Sequence, residues 1–472
     1  MASKHKHKSA LKAAVWYTVS NFISKTVLYL CTPLFTRILT KTEFGQYNNF
    51  LSWQHILLII FSVDLVSSVV VAYFDYNDED EFQAFISTIC LSSVFIPLIL
   101  SVIVFCLQDF FTIFFNMGWQ YLLIMLANLT LGNTLQIFQV EQRTRVEYRL
   151  SAALTLATAL GTVILTFMLL YGMEDKLTAI LIGNVAFNIV VSVALLLFLL
   201  KRKLAFRWSQ LRFALILAVP LIPSDLSSSI TGSSGQILIT KFCGPEKTAL
   251  YSLAFTISMV ITMFAASINK AWVPWFFERL KQNETGSIDV AVKKMLPVLS
   301  VCTIGFCIVA PEIILIVGGQ KYAEAVFLMP PIILQCFFNY VYTLYVNIEY
   351  YEKKTYLISV ATIITAMISL GLNYILLQRF DYYIAAYTML FTAIVSLSLH
   401  FLIVNWMGKS YIFDNRFILK VILLTSVVCL ALMLIYHHSM VRLCAVVVYT
   451  VALINIMLRY KETIKSYCRQ IF

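Results

Sequence analysis

Four ionisable side chains stand well inside long apolar runs: Lys25, Asp64, Asp225 and Lys270. On insertion scales each costs roughly 2.5–3.5 kcal/mol at the centre of a membrane-crossing helix, so each has to face a protein interior or a wet cavity. Ammonium groups in such a place suit an anionic head group. The carboxylates suit a coupling cation or a proton. The plainer arrangement of the same four residues is two ion pairs locking neighbouring helices together. His55, Asn21, Asn269 and Gln236 add polarity to the same runs. Arg37, with Lys41, Lys241 and Lys247, stands at the end of a run, where it either reaches an anionic head or anchors the interface. No P-loop and no cluster of His, Cys or carboxylates with catalytic or metal-ligand spacing occurs, so neither a cofactor, a metal nor an enzyme is expected.

The elements that position these residues follow from composition. The chain has 472 residues, of which 60% are hydrophobic and only 12% charged. Soluble domains carry about 25% charged residues, so the material for a watery surface is missing. The apolar residues fall in runs of about 20, the length that crosses roughly 30 Å of hydrocarbon as a helix. A lipid-exposed backbone must pair its own polar groups, and the runs lack the alternation of a membrane barrel. The expectation is an all-α polytopic membrane protein with about fourteen transmembrane helices, the first near residues 11–37 and the last near 440–459. The basic start MASKHKHKSALK leads straight into the first run without a cleavage motif, which is read as a retained helix. The cysteines inside the runs, such as Cys31, Cys90 and Cys336, are read as reduced packing residues.

The net charge of +11 is spread by topology. With fourteen spans, 25 of the 35 Lys and Arg lie on the side of the termini and 8 on the other, with Lys25 and Lys270 inside spans. That asymmetry places both termini in the cytoplasm, and it favours anionic membrane lipid over nucleic acid as the partner of the basic loops.

An internal repeat organises the spans. Residues 36–47 read TRILTKTEFGQY and residues 240–251 read TKFCGPEKTALY, the second copy 204 positions after the first. Six spans separate them, as expected for two parallel six-helix halves. The division expected is residues 1–203, residues 204–406 and a two-helix addition at 407–472 with a cytoplasmic tail. Pro33 in the first span and Pro220 and Pro223 in the seventh should bend the helices that open each half. Interrupted helices at corresponding positions point to a transport site. The Ser and Gly residues of the seventh span, Gly232, Ser233 and Ser234 among them, either belong to that site or mark tight helix packing.

Arg37-x-Leu-Thr with Glu43-Phe-Gly-x-Tyr47, Pro220-Leu-Ile-Pro-Ser224, Gly244 through Tyr251-Ser, Ala271-Trp-x-Pro274, Gly318-Gly-x-Lys-Tyr322 and Lys353-Lys-Thr355 occur in this order. Over residues 10 to about 405 the chain therefore resembles the bacterial polysaccharide-repeat-unit flippases of the multidrug/oligosaccharidyl-lipid/polysaccharide exporter superfamily. It departs at Gly235-Gln236, where family members commonly carry Asp-Arg. The resemblance implies two pseudo-symmetric six-helix lobes that alternate access across the bacterial inner membrane. The implied cargo is an undecaprenyl-diphosphate-linked oligosaccharide destined for O-antigen (lipopolysaccharide), capsule or a related polymer. A coupling cation, H+ or Na+, would supply the energy, and polysaccharide polymerases would be the downstream partners. In this frame Lys25, Lys270 and Arg37 bind substrate, and Asp64 and Asp225 couple or gate. Two alternatives remain. A cation-coupled multidrug exporter of the same superfamily would favour acidic cavities, and a membrane glycan polymerase or ligase would need a large loop that this chain lacks.

Overall fold

The computed structural model describes residues 20–450, except 21, 22, 25, 28, 30, 77, 437, 439, 443, 445 and 448. Among the described residues ten helices are long and apolar enough to cross a bilayer, and two bent helix pairs raise the number to twelve. These twelve are the second to thirteenth of the expected spans. Most of the first and last spans lies outside the described residues, although residues 31–38 are helical. The molecule is a polytopic all-α membrane protein.

The chain folds as two compact units, one running to Ser252 and including Leu370–Tyr382, the other holding Leu253–Ser369 and the chain from Tyr383 onward. The first unit contains α1 (Lys41–Ser62), α2 (Ser68–Asp75), α3 (Glu79–Cys106), α4 (Gln108–Phe115), α5 (Trp119–Leu131) and α6 (Thr134–Thr144). It continues with α7 (Tyr148–Gly172), α8 (Lys176–Arg202), α9 (Trp208–Ala218) and α10 (Ile222–Cys243). α7 lies along α8, and α1 lies along α10. The helix α11 (Pro245–Lys281) starts in the first unit and continues in the second. The second unit adds α12 (Thr285–Ile308), α13 (Ala310–Gly318), α14 (Met329–Tyr351), α16 (Ile384–Trp406) and α17 (Asn415–Leu432), and α15 (Thr355–Leu376) starts in the second unit and ends in the first. There α14 packs along α16 and α12 along α17.

Each unit has its own apolar core, with Phe82, Phe85, Ile86 and Phe138 in the first and Trp272, Phe276, Phe337 and Leu344 in the second. Outward faces are apolar too. α3 buries Phe85 and Ile89 yet leaves Phe95, Ile99 and Val102 exposed, a surface suited to lipid rather than water. Hydroxyls on these helices satisfy themselves by bonding back one turn, as Thr88 does to the Ala84 carbonyl (2.8 Å) and Thr166 to that of Thr162 (2.7 Å).

Candidate functional site

The two bent spans hold both of the ionisable aspartates. The first, α1 and α2, turns by 60°. Neither Pro nor Gly makes this break: Val63 (φ 50°) and Asp64 (φ 48°) are both left-handed, an arrangement costing on the order of 1–3 kcal/mol per residue. Local and tertiary contacts hold it. The Ser67 amide (3.1 Å) and hydroxyl (2.8 Å) both donate to the Asp64 carbonyl, and the Asp64 amide donates to the Ser62 hydroxyl (3.2 Å). Leu65 and Val69, immediately beyond the break, are buried in the core of the unit.

The second bent span, α9 and α10, turns by 53°. Pro223 has no N–H to give the Val219 carbonyl, and the Ile222 amide takes that acceptor instead (3.3 Å). The Ser227 hydroxyl donates to the Pro223 carbonyl (2.6 Å). Below the breaks α9 packs against residues 65–67 and α2; above them α10 packs against α1. The two interrupted spans therefore run side by side. Asp64 is half-buried and Asp225 is exposed, and they are near enough for the charge of Asp225 to act on Asp64.

At one end of these spans the two repeat copies meet. Thr40 and Glu43 form a capping box that starts α1: the Thr40 side chain accepts from the Glu43 amide (3.2 Å), and the Glu43 carboxylate accepts from the Thr40 amide (2.8 Å). The Thr42 hydroxyl donates to Glu246 (3.2 Å), a pair exactly one repeat apart in sequence. Gly45 sits against the carbonyl of Pro245, where a Cβ would lie 1.8 Å from the oxygen. Glu43-Phe-Gly is thus a cap and a close approach. Further along, Ser52 is hydrogen-bonded to Gln236. Gln236, with Ser233 and Ser234, is buried in the packing of α10, whereas a Cβ at Gly232 would meet nothing within 4 Å.

A cavity of about 500 Å³ in the first unit is lined by Gln46, Asn49, Asn116 and Tyr121 among others. The Asn49 amide nitrogen donates to the Phe115 carbonyl (3.0 Å), and its carbonyl oxygen is buried without a protein partner. Such amide and phenol groups suit a hydroxyl-rich ligand. At the basic-loop end Arg145 binds Glu79 (2.6 Å) and the fully buried Glu141 (3.0 Å), and Arg202 lies 3.7 Å from Glu141.

Of the remaining expected residues, Lys25 lies outside the described residues. Arg37 is exposed in the first unit, one turn beyond Pro33, which stands within the helical residues 31–38. Lys270 is exposed on the part of α11 that belongs to the second unit. Sequence reasoning missed Glu141 and, in the second unit, the buried pair Glu349 and His400, whose Oε1 and Nδ1 are 2.7 Å apart. It also missed the break at Val63–Asp64. Among the described residues no three His, Cys, Asp or Glu side chains gather as metal ligands.

A family model described as polysaccharide biosynthesis protein matches residues 10–280. A Haemophilus influenzae protein described as an uncharacterized membrane protein is 24% identical over 385 residues, covering 77% of this chain and 89% of that protein. Among solved structures, the lipid II flippase MurJ in its inward closed conformation is similar with a TM-score of 0.77 at 15% identity, over 95% of this chain and 100% of the flippase. An outward-facing multidrug resistance MATE family transporter of the MOP superfamily gives 0.54 at 14% identity, over 86% of this chain and 96% of its own. A MOP superfamily transporter from Pyrococcus furiosus gives 0.56 at 14% identity, over 85% and 96%. These likenesses establish a common fold.

Proposed function

The chain belongs to the polysaccharide biosynthesis protein family, and on that premise we propose that it is a flippase carrying an undecaprenyl-diphosphate-linked oligosaccharide from the cytoplasmic to the periplasmic leaflet of the inner membrane. The observation that carries this reading is the family match together with a fold shared, over 95% of the chain, with the lipid II flippase MurJ. In this reading two six-helix lobes, residues 1–203 and 204–406, alternate access across the membrane, and residues 407–472 are an addition to them. The basic loops and both termini face the cytoplasm, as the distribution of Lys and Arg favours.

In this reading Lys25, Lys270 and Arg37 hold the diphosphate, whose oxygens take charge-assisted hydrogen bonds from ammonium and guanidinium groups. The prenyl tail stays in lipid. Asp64 and Asp225, at the two breaks, couple the movement to a cation or gate it. Support for a sugar-bearing cargo comes from the amide-lined cavity at Asn49. The product feeds a polysaccharide polymerase for O-antigen, capsule or a related polymer. The chain acts as a transporter and does no bond chemistry.

The test is complementation of a strain that lacks its repeat-unit flippase, supplied with the polymer pathway that accompanies this chain. The wild type restores surface polymer; Lys25→Ala and Lys270→Ala lose it while the protein remains in the membrane. Full polymer in both variants removes the lysines from the site. Failure of the wild type, joined to export of a cationic drug, would favour a multidrug exporter instead.

A further inference from the structure

The second unit buries an acid and a base against each other between two spans that pack along each other. Glu349 on α14 and His400 on α16 have side chains 0% and 2% exposed, and His400 Nδ1 lies 2.7 Å from Glu349 Oε1. The Tyr342 ring, two turns before Glu349 on the same helix face, stacks on the imidazole at 5.4 Å. Glu349 Oε2 is buried with no hydrogen-bond partner.

Charge accounting decides what this pair holds. A carboxylate beside a neutral imidazole would be a net negative charge cut off from water, which is strongly disfavoured. One proton resolves it, either as a carboxylic acid hydrogen-bonded to a neutral ring or as a carboxylate paired with an imidazolium. Both forms are neutral overall. The neighbouring charges are otherwise engaged. Glu352 binds Lys409 (3.0 Å); Lys293 binds Asp289 (2.8 Å) and Asp414 (2.9 Å); and Arg279 binds Glu284. The Tyr345 hydroxyl donates to Asn415 (2.8 Å) and that of Tyr340 to the Met295 sulfur (3.0 Å). Lys270 on α11 and Lys353 and Lys354 after α14 make no ion pair with Glu349 within 4 Å.

The first unit shows the contrast. Glu141 is equally buried near the end of the span Trp119–Thr144, but its partners are the guanidinium groups of Arg145 and Arg202. Those cations are permanent. Glu349 occupies the comparable end of Gln320–Tyr351, and its partner is an imidazole rather than a guanidinium.

We propose that Glu349 and His400 form a proton-binding site, one proton held between the two side chains in the packing of α14 against α16. Its role in coupling rests on the flippase reading above; its chemistry does not. A proton is taken from water on one side and returned to water later, only N–H or O–H bonds being made and broken.

Two measurements on the full-length chain test this separately. In vesicles carrying a fluorescent undecaprenyl-diphosphate-linked oligosaccharide, the leaflet ratio reached at steady state is compared with and without a one-unit pH gradient, which for one coupled proton is worth up to about tenfold. The wild-type ratio should approach tenfold, Glu349→Gln and His400→Gln should bring it to about onefold, and Glu349→Asp should recover part of it. A wild-type ratio of one, or an unchanged ratio in both variants, overturns the coupling. Independently, imidazole ¹⁵N NMR, with the His400 signal assigned by His400→Gln, should show a proton shared at Nδ1 that is lost in Glu349→Gln. A neutral ring with the same signal in wild type and Glu349→Gln overturns the site itself. A wild type that flips nothing defeats the flippase reading, and the NMR result still decides the proton site.

Discussion

Replacing Gly45 by alanine should damage the junction of the two repeat copies more than its single methyl suggests. A Cβ there would lie 1.8 Å from the Pro245 oxygen, 2.5 Å from its carbonyl carbon and 3.0 Å from its Cα. Ordinary contact begins at 3.4 Å, so the two segments would have to part by about 1.6 Å, an overpacking strain of the kind that costs roughly 1–3 kcal/mol. Because the obstacle is backbone, which cannot swing aside, the upper end, about 3 kcal/mol, applies. Parting also pulls on the Thr42–Glu246 hydrogen bond. The assay is thermal unfolding of the purified protein in detergent, alongside the rate of disulfide formation in a Thr42→Cys, Glu246→Cys pair. Gly45→Ala should unfold several degrees lower and cross-link more slowly. Unchanged unfolding together with unchanged cross-linking would refute the contact and the packing argument built on it.

Arg145→Gln should destabilise by roughly 3–5 kcal/mol, because it strips Glu141 of its nearer cation and leaves a buried charge poorly compensated. Adding Glu141→Gln should recover much of that loss, read by the same unfolding measurement. Asp175 caps α8 through the Thr178 hydroxyl and amide, and those hydrogen bonds hold its carboxyl below the ordinary carboxylate range. Its contribution is therefore full near neutral pH and is lost as acid takes the solution through the ordinary value and then the lowered one. Asp175→Asn should keep a cap and flatten that part of the acid dependence of stability.

The spans were legible because lipid thickness and backbone pairing dictate them: the run 248–275 is the middle of α11, and 356–378 is α15 to within a few residues. The bend of the seventh span was legible in Pro220 and Pro223. The larger bend one span after the start was not. Val63 and Asp64 carry no breaker signal, and what holds them left-handed is the burial of Leu65 and Val69 with the hydroxyls of Ser62 and Ser67, a tertiary effect. Asp64 and Asp225 were recognised as charges inside apolar runs, but how α9 and α10 lie along α1 and α2, which leaves Asp64 half-buried and Asp225 exposed, was not. Glu141 and Glu349 escaped notice because they fall at the ends of apolar runs, where a charge reads as interfacial. Only the packing of neighbouring helices buries them completely. The repeat was visible in two short motifs, and Gln236 was visible as a departure; its bond to Ser52 was not.

Reconstitution is the most direct examination of the transport claim. Purified chain is placed in vesicles whose two leaflets carry undecaprenyl-diphosphate-linked oligosaccharide, and a membrane-impermeant glycan-modifying reagent is added outside. Protein-containing vesicles should lose nearly all their unmodified lipid within minutes, with protein-free vesicles keeping the inner-leaflet half. Equal protection with and without the protein would contradict the account.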